Sequence, residues 1–209
     1  MVTANLNQVP AWRDIAYLQQ GSLIQRQAYA SLTDLGILET LRDYDALLAG
    51  TVPLDLAIAD SDLDILCEVH DHLGLRRRLE REYGASPTFS VGQLDLASGT
   101  ATVANFAFGG FAIEVFGQPV PVSRQHAYRH MDVEYRLMLL GGEQMKAQIT
   151  RLKQQGAKTE PAFATWLGLQ GDPYAALLKL SELNGSELSS WYYAAQERTT
   201  PRLITNPSS

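Results

Sequence analysis

One cysteine among 209 residues, Cys67, has no partner for an internal disulfide, so the fold cannot rest on cross-links. A basic excess is missing too. The 17 Lys and Arg stand against 23 Asp and Glu, a formal charge of -6, which argues against general nucleic-acid affinity because phosphate binding leaves a basic footprint. No apolar run approaches the roughly 20 residues that a membrane-spanning helix needs. The opening MVTANLNQVPAWRD lacks both the basic start and the apolar core of a signal peptide, and these absences together point to a cytoplasmic protein. What is present is ordinary for a globular chain: 45% hydrophobic and 19% charged residues, enough for one substantial core or one core with a small second lobe.

The apolar period changes along the chain. From Trp12 to Leu41, Ile15, Leu18, Leu23, Ala28, Leu32 and Leu35 recur at mixed helical spacings around the Gly21-Ser22 break, which predicts two or three short helices capped by Gly36. Short apolar runs bounded by turn residues follow at Ala46–Ala49, Leu54–Ile58 and Leu63–Val69, a strand pattern. His70–Tyr83 reads as a helix with Leu73, Leu75, Leu79 and Tyr83 on or near one face. Three further strands, Thr88–Leu94, Thr100–Phe108 and Phe111–Gly117, are joined by Ala97-Ser98-Gly99 and Gly109-Gly110, which suit hairpins and predict an antiparallel ribbon. From Arg124 the chain turns helical, with Ala127, Met131, Tyr135 and Met138 as a buried stripe ending at Gly141-Gly142. Further helices are expected over Glu143–Gln155, after Thr159-Glu160-Pro161, and from Asp172-Pro173, an N-cap followed by proline at the first helical position.

The chemistry concentrates in Gly50–Asp64, GTVPLDLAIADSDLD. Side chains alternate along a strand, so Asp62 and Asp64 point one way while Leu63 turns to the core. At about 3.3 Å per residue their Cα atoms lie ~6.6 Å apart, within reach of a shared hard cation. The DxDxD run of Asp60, Asp62 and Asp64 is not an EF-hand, because Ile65 and Asp71 stand where glycine and glutamate are required. Isolated, such a triplet would more often cap a loop and face water. Glu114, a carboxylate among apolar neighbours in the last strand, changes the balance: if that strand lies beside the aspartates, three acids converge as in two-metal phosphoryl-transfer sites. Facing solvent or pairing with an arginine is the competing role for Glu114. On the expected helix after Arg124, His126 and His130 share a face at metal-compatible spacing, though an exposed pair is the commoner outcome. Arg124, Arg129 and His130 are alternatively suited to phosphate oxygens. Cys67 in a core-type strand reads as packing, and Arg76-Arg77-Arg78 as a solvated face balanced by Glu80 and Glu82.

Gly50-Thr51, Asp62-x-Asp64 and the later strand acid together resemble the nucleotidyltransferase superfamily, the fold of DNA polymerase beta and the aminoglycoside nucleotidyltransferases. More closely, GT-P-LDLAI-SDLDILCE, FAIEVFGQPVP, QHAYRHMDVEYRL and LKQQGAKTEPAFA resemble the domain-of-unknown-function family 4269, over about Tyr29 to Leu178. A Gly-Ser pair is usual before the superfamily's acid triplet, and Thr51 keeps the hydroxyl while adding a methyl. The resemblance implies an α/β (α+β) protein with a mixed-sheet nucleotidyltransferase-like core, placed over 38–122; the apolar pattern adds N-terminal helices over 1–37 and a helical C-terminal lobe over 123–197, and proline and small polar residues predict a flexible tail over 198–209. The resemblance also implies a magnesium–nucleotide site, with two metals possible, held by Asp62, Asp64 and Glu114 beside the Gly50-Thr51 turn; if the helix after Arg124 faces these acids, Arg124, Arg129 and His130 contact the phosphates of the nucleoside triphosphate. The expected activity is nucleotidyl transfer to an acceptor that neither residues nor resemblance identifies. The competing expectations are a non-catalytic nucleotide-binding or regulatory module on the same fold and an antitoxin-like partner protein, and oligomeric state is left open.

Overall fold

The computed structural model describes residue 6, residues 11–97 and residues 99–199. The described residues fall into two compact units, one within Val9–Asp132 and the other within Val133–Ser209 together with residue 6.

In the first unit a 3-10 turn, Ile15–Gln20, precedes α1 (Leu23–Leu35) and the short α2 (Ile37–Thr40). Five strands follow: β1 (Leu47–Ala49), β2 (Leu63–Glu68), β3 (Ser90–Leu96), β4 (Gly99–Phe108) and β5 (Phe111–Gln118), with α3 (His72–Tyr83) between β2 and β3. The sheet order is β1-β2-β5-β4-β3. The expected antiparallel ribbon is present as β3-β4-β5, and β5 returns to lie parallel to β2.

Alternation along these strands divides the sheet into two faces. Leu63, Ile65 and Cys67 of β2, Ala104 and Phe106 of β4, and Ile113 and Val115 of β5 join Leu75, Leu79 and Tyr83 of α3 and Ala28 and Leu32 of α1 in one buried core. Phe106 stacks on Tyr83 with ring centroids 5.0 Å apart. The opposite face carries Asp64, Leu66, Glu114, Phe116 and Asn105, each beside its registered neighbour.

The structure corrects several expectations. Leu54–Ile58 is not a strand: the Asp55 amide donates to Val52 and the Leu56 amide to Thr51, and Asp55 has a φ of 54°, so the apolar residues are buried by turns rather than by strand pairing. β2 begins at Leu63, so Asp62 precedes the strand instead of standing within it. Leu73 lies outside the buried stripe of α3, and Ala127 is exposed. Ser98 of the expected first hairpin lies outside the described residues, as does the expected tail from residue 200 onward.

The second unit is helical. α4 (His126–Gln154) starts in the first unit and is interrupted where the double glycine was expected to end it, Gly142 having a φ of 58° and a ψ of -158°. α5 (Thr159–Leu167) packs on α6 (Pro173–Ser181) and α7 (Gly185–Thr199). The Asp172 cap is present, its carboxylate accepting from the Ala175 amide at 2.7 Å. α7 was not anticipated as a separate element.

Candidate active site

The parallel pairing of β2 and β5 sets Asp64 directly beside Glu114. At the usual spacing of about 4.8 Å between strands, two carboxylates stand side by side on the face opposite the core. Ala49 lies on the other side of Asp64, and Asn105 on the other side of Glu114. A polar row of Asp64, Glu114 and Asn105 therefore crosses three strands. Both acids are half-buried, and that burial raises the Glu114 pKa above the ordinary carboxylate value, with the charge of Asp62 adding to it. Asp62 itself is exposed, one residue before β2 begins. Its loop is fastened by Ser61, whose hydroxyl accepts from the Ile58 amide at 2.9 Å while its own amide donates back to the Ile58 carbonyl.

Gly50 ends β1 with a φ of 77°, and a Cβ placed on it would lie 2.2 Å from Asp64 Oδ2. Only glycine combines this backbone conformation with room for the carboxylate. Thr51 follows at the start of the turn, its carbonyl accepting from Leu56. Sequence reasoning missed what holds this turn: Gln25, buried in the first turn of α1, donates from Nε2 to the Val52 carbonyl at 2.8 Å and forms a capping box with Ser22. The Ser22-x-x-Gln25 spacing was the available signal.

A cavity of about 810 Å³ opens on the acid face. Asp64 and Glu114 lie in its wall, with Leu66, Phe116 and Val120 beyond them and Arg124 and His126 where α4 begins. Gln125, only 2% exposed, pins that helix start by donating from Nε2 to the carbonyls of Cys67 at 2.9 Å and Val120 at 3.0 Å. Of the expected phosphate contacts, Arg124 is in this wall. Arg129 is not in it, and His130 is buried at 7% exposure and likewise outside it, so the His126/His130 spacing does not present two imidazoles together. Cys67 is buried on the core face, and desolvation pushes its thiol up to about 12, as a packing residue requires.

The donor set of Asp62, Asp64 and Glu114 is oxygen only, which suits a hard divalent cation, and the glycine turn leaves the Asp64 carboxylate unobstructed. The residues fit magnesium in kind. Among the described residues, however, no three acid, imidazole or thiol groups are gathered in metal-ligand geometry.

The model of a domain of unknown function, DUF4269, matches residues 30–180. No curated protein matches. Among solved structures, Cid1, described for its RNA terminal uridylyl transferase activity, superposes with a TM-score of 0.50 at 13% identity over 79% of this chain and 53% of that one. Cid1 poly(U) polymerase with MgGTP bound gives 0.49 at 13% identity, covering 74% and 48%, and the polymerase core of TRAMP gives 0.45 at 13%, covering 88% and 60%. The chain spans about half the length of the first of these structures. The likeness is one of fold: a mixed sheet with flanking helices is shared at low identity.

Proposed function

The chain belongs to the DUF4269 family and has a nucleotidyltransferase fold, and on that premise we propose that it transfers a nucleotidyl group from a nucleoside triphosphate to an acceptor in a magnesium-dependent reaction. The observation that carries this reading is the Asp64–Glu114 pair, set side by side on an open sheet face against the Gly50 turn. Asp62, Asp64 and Glu114 would hold magnesium, which when bound neutralises charge on the triphosphate oxygens. The Gly50-Thr51 turn lies against Asp64 and would take the triphosphate side of the site. Glu114, at the acceptor end of the pair, would accept the proton of the acceptor hydroxyl at a carboxylate oxygen. The acceptor oxygen then bonds to the α-phosphorus, the bond from that phosphorus to the bridging oxygen breaks, and pyrophosphate leaves.

Incubation with magnesium and nucleoside triphosphates labelled at the α-phosphate, over a panel of hydroxyl-bearing small molecules, RNA and protein, tests the proposal. Label should move to an acceptor with the native chain and not with Asp64→Asn or Glu114→Gln. Transfer that persists in both variants refutes it. The ungathered arrangement of the three acids favours one second reading, a nucleotide-binding module without catalysis. It predicts triphosphate binding with no transfer to any acceptor.

A further inference from the structure

Beyond the acid pair the same sheet face becomes apolar. Two residues along from Asp64 and Glu114, on the same strands and the same side, stand Leu66 and Phe116. With Val120 and Leu96 they wall the cavity of about 810 Å³, a size that encloses one compact organic molecule. Its far end is set by Gln125, which binds the Cys67 carbonyl three residues beyond Asp64, roughly 10 Å along the strand. Arg124 and His126 stand at that end, both exposed, and the Arg124 guanidinium has no side-chain partner among the described residues. A nucleic-acid strand needs cations repeated along its phosphates. This wall offers one arginine and one histidine beside two acids.

Resting on the transferase reading above, we infer that this cavity seats the acceptor, and that the acceptor is a small molecule rather than a polynucleotide. Its body is apolar and about the size of one or two fused rings, packed on Leu66 and Phe116. One anionic group faces Arg124, and the hydroxyl that receives the nucleotidyl group lies at the Glu114 end.

The probe is 1-anilinonaphthalene-8-sulfonate, an apolar fused-ring body with a single sulfonate, titrated by fluorescence into the full chain. One dye should bind per native chain. Phe116→Ser and the exposed-site variant Arg124→Gln should each weaken it at least tenfold, while the heat of magnesium–triphosphate binding stays at the native value. Dye binding unchanged in both variants overturns the inference. So does loss of magnesium–triphosphate heat in Arg124→Gln, which would return that arginine to the nucleotide, and so does transfer to an RNA oligonucleotide that Phe116→Ser leaves intact. If the native chain gives no magnesium–triphosphate heat but the dye binds and both variants lose it, the transferase reading fails while the apolar-anion site stands.

Discussion

Gly50 offers a perturbation whose structural and functional costs separate cleanly. Gly50→Ala forces alanine into a φ of 77°, where left-handed backbone costs an L residue roughly 1–2 kcal/mol. The new Cβ also lands 2.2 Å from Asp64 Oδ2, the mobile end of a side chain, so the carboxylate swings aside rather than breaking the fold. Gly110→Ala is the matched control, because Gly110 has a φ of 86° and nothing within 4 Å of its added Cβ. Both variants should therefore lose about 1–2 kcal/mol, a fall of roughly 2–8 °C in melting temperature for a chain of this length. Only Gly50→Ala should also lose magnesium–triphosphate affinity, by tenfold or more, since it alone displaces Asp64. Thermal melts with and without magnesium and a triphosphate read both effects together, because a ligand bound only by the folded state raises the melting temperature. Equal ligand-induced shifts in the two variants would refute the placement of Asp64 in the site.

Glu114 gives a pH dependence. Its pKa is raised by burial first and by Asp62 second, so on raising the pH the unfolded chain releases this proton before the folded one does. The stability held by the protonated group is thus present below the ordinary carboxylate value and lost as pH climbs through the raised folded one. Glu114→Gln should then melt higher than the native chain at pH 7; a lower melting point contradicts the burial argument. Cys67, fully buried with its thiol pushed up to about 12, should resist thiol reagents in the native state at pH 8 and react at once in denaturant. Phe106→Ala removes the ring stacked on Tyr83 in the core and should cost about 3–5 kcal/mol by denaturant titration.

Local signals in the sequence carried far for the strands and the acids, and least far for what joins them. Alternation placed β2 and β5 within a residue or two at each end, and the glycines of the Gly109-Gly110 turn placed the β4-β5 hairpin. The same alternation misled at Leu54–Ile58, since buried Leu54 and Leu56 in a chain of turns have the spacing of a half-buried strand. The decisive contact, Asp64 beside Glu114, depends on a parallel pairing across the intervening α3, β3 and β4, which no local pattern encodes. Gln25 and Gln125 escaped notice because their roles are to carbonyls 27 and 58 residues away. Helical spacing put His126 and His130 on one face without saying that His130 is buried.

Calorimetry of the native chain with magnesium and each nucleoside triphosphate asks whether Asp62, Asp64 and Glu114 form a magnesium–nucleotide site, as we propose. Saturable heat is expected for at least one triphosphate, dependent on magnesium and abolished by Asp64→Asn and by Asp62→Asn. Heat that is unchanged in both variants, or no heat with any triphosphate, would contradict it.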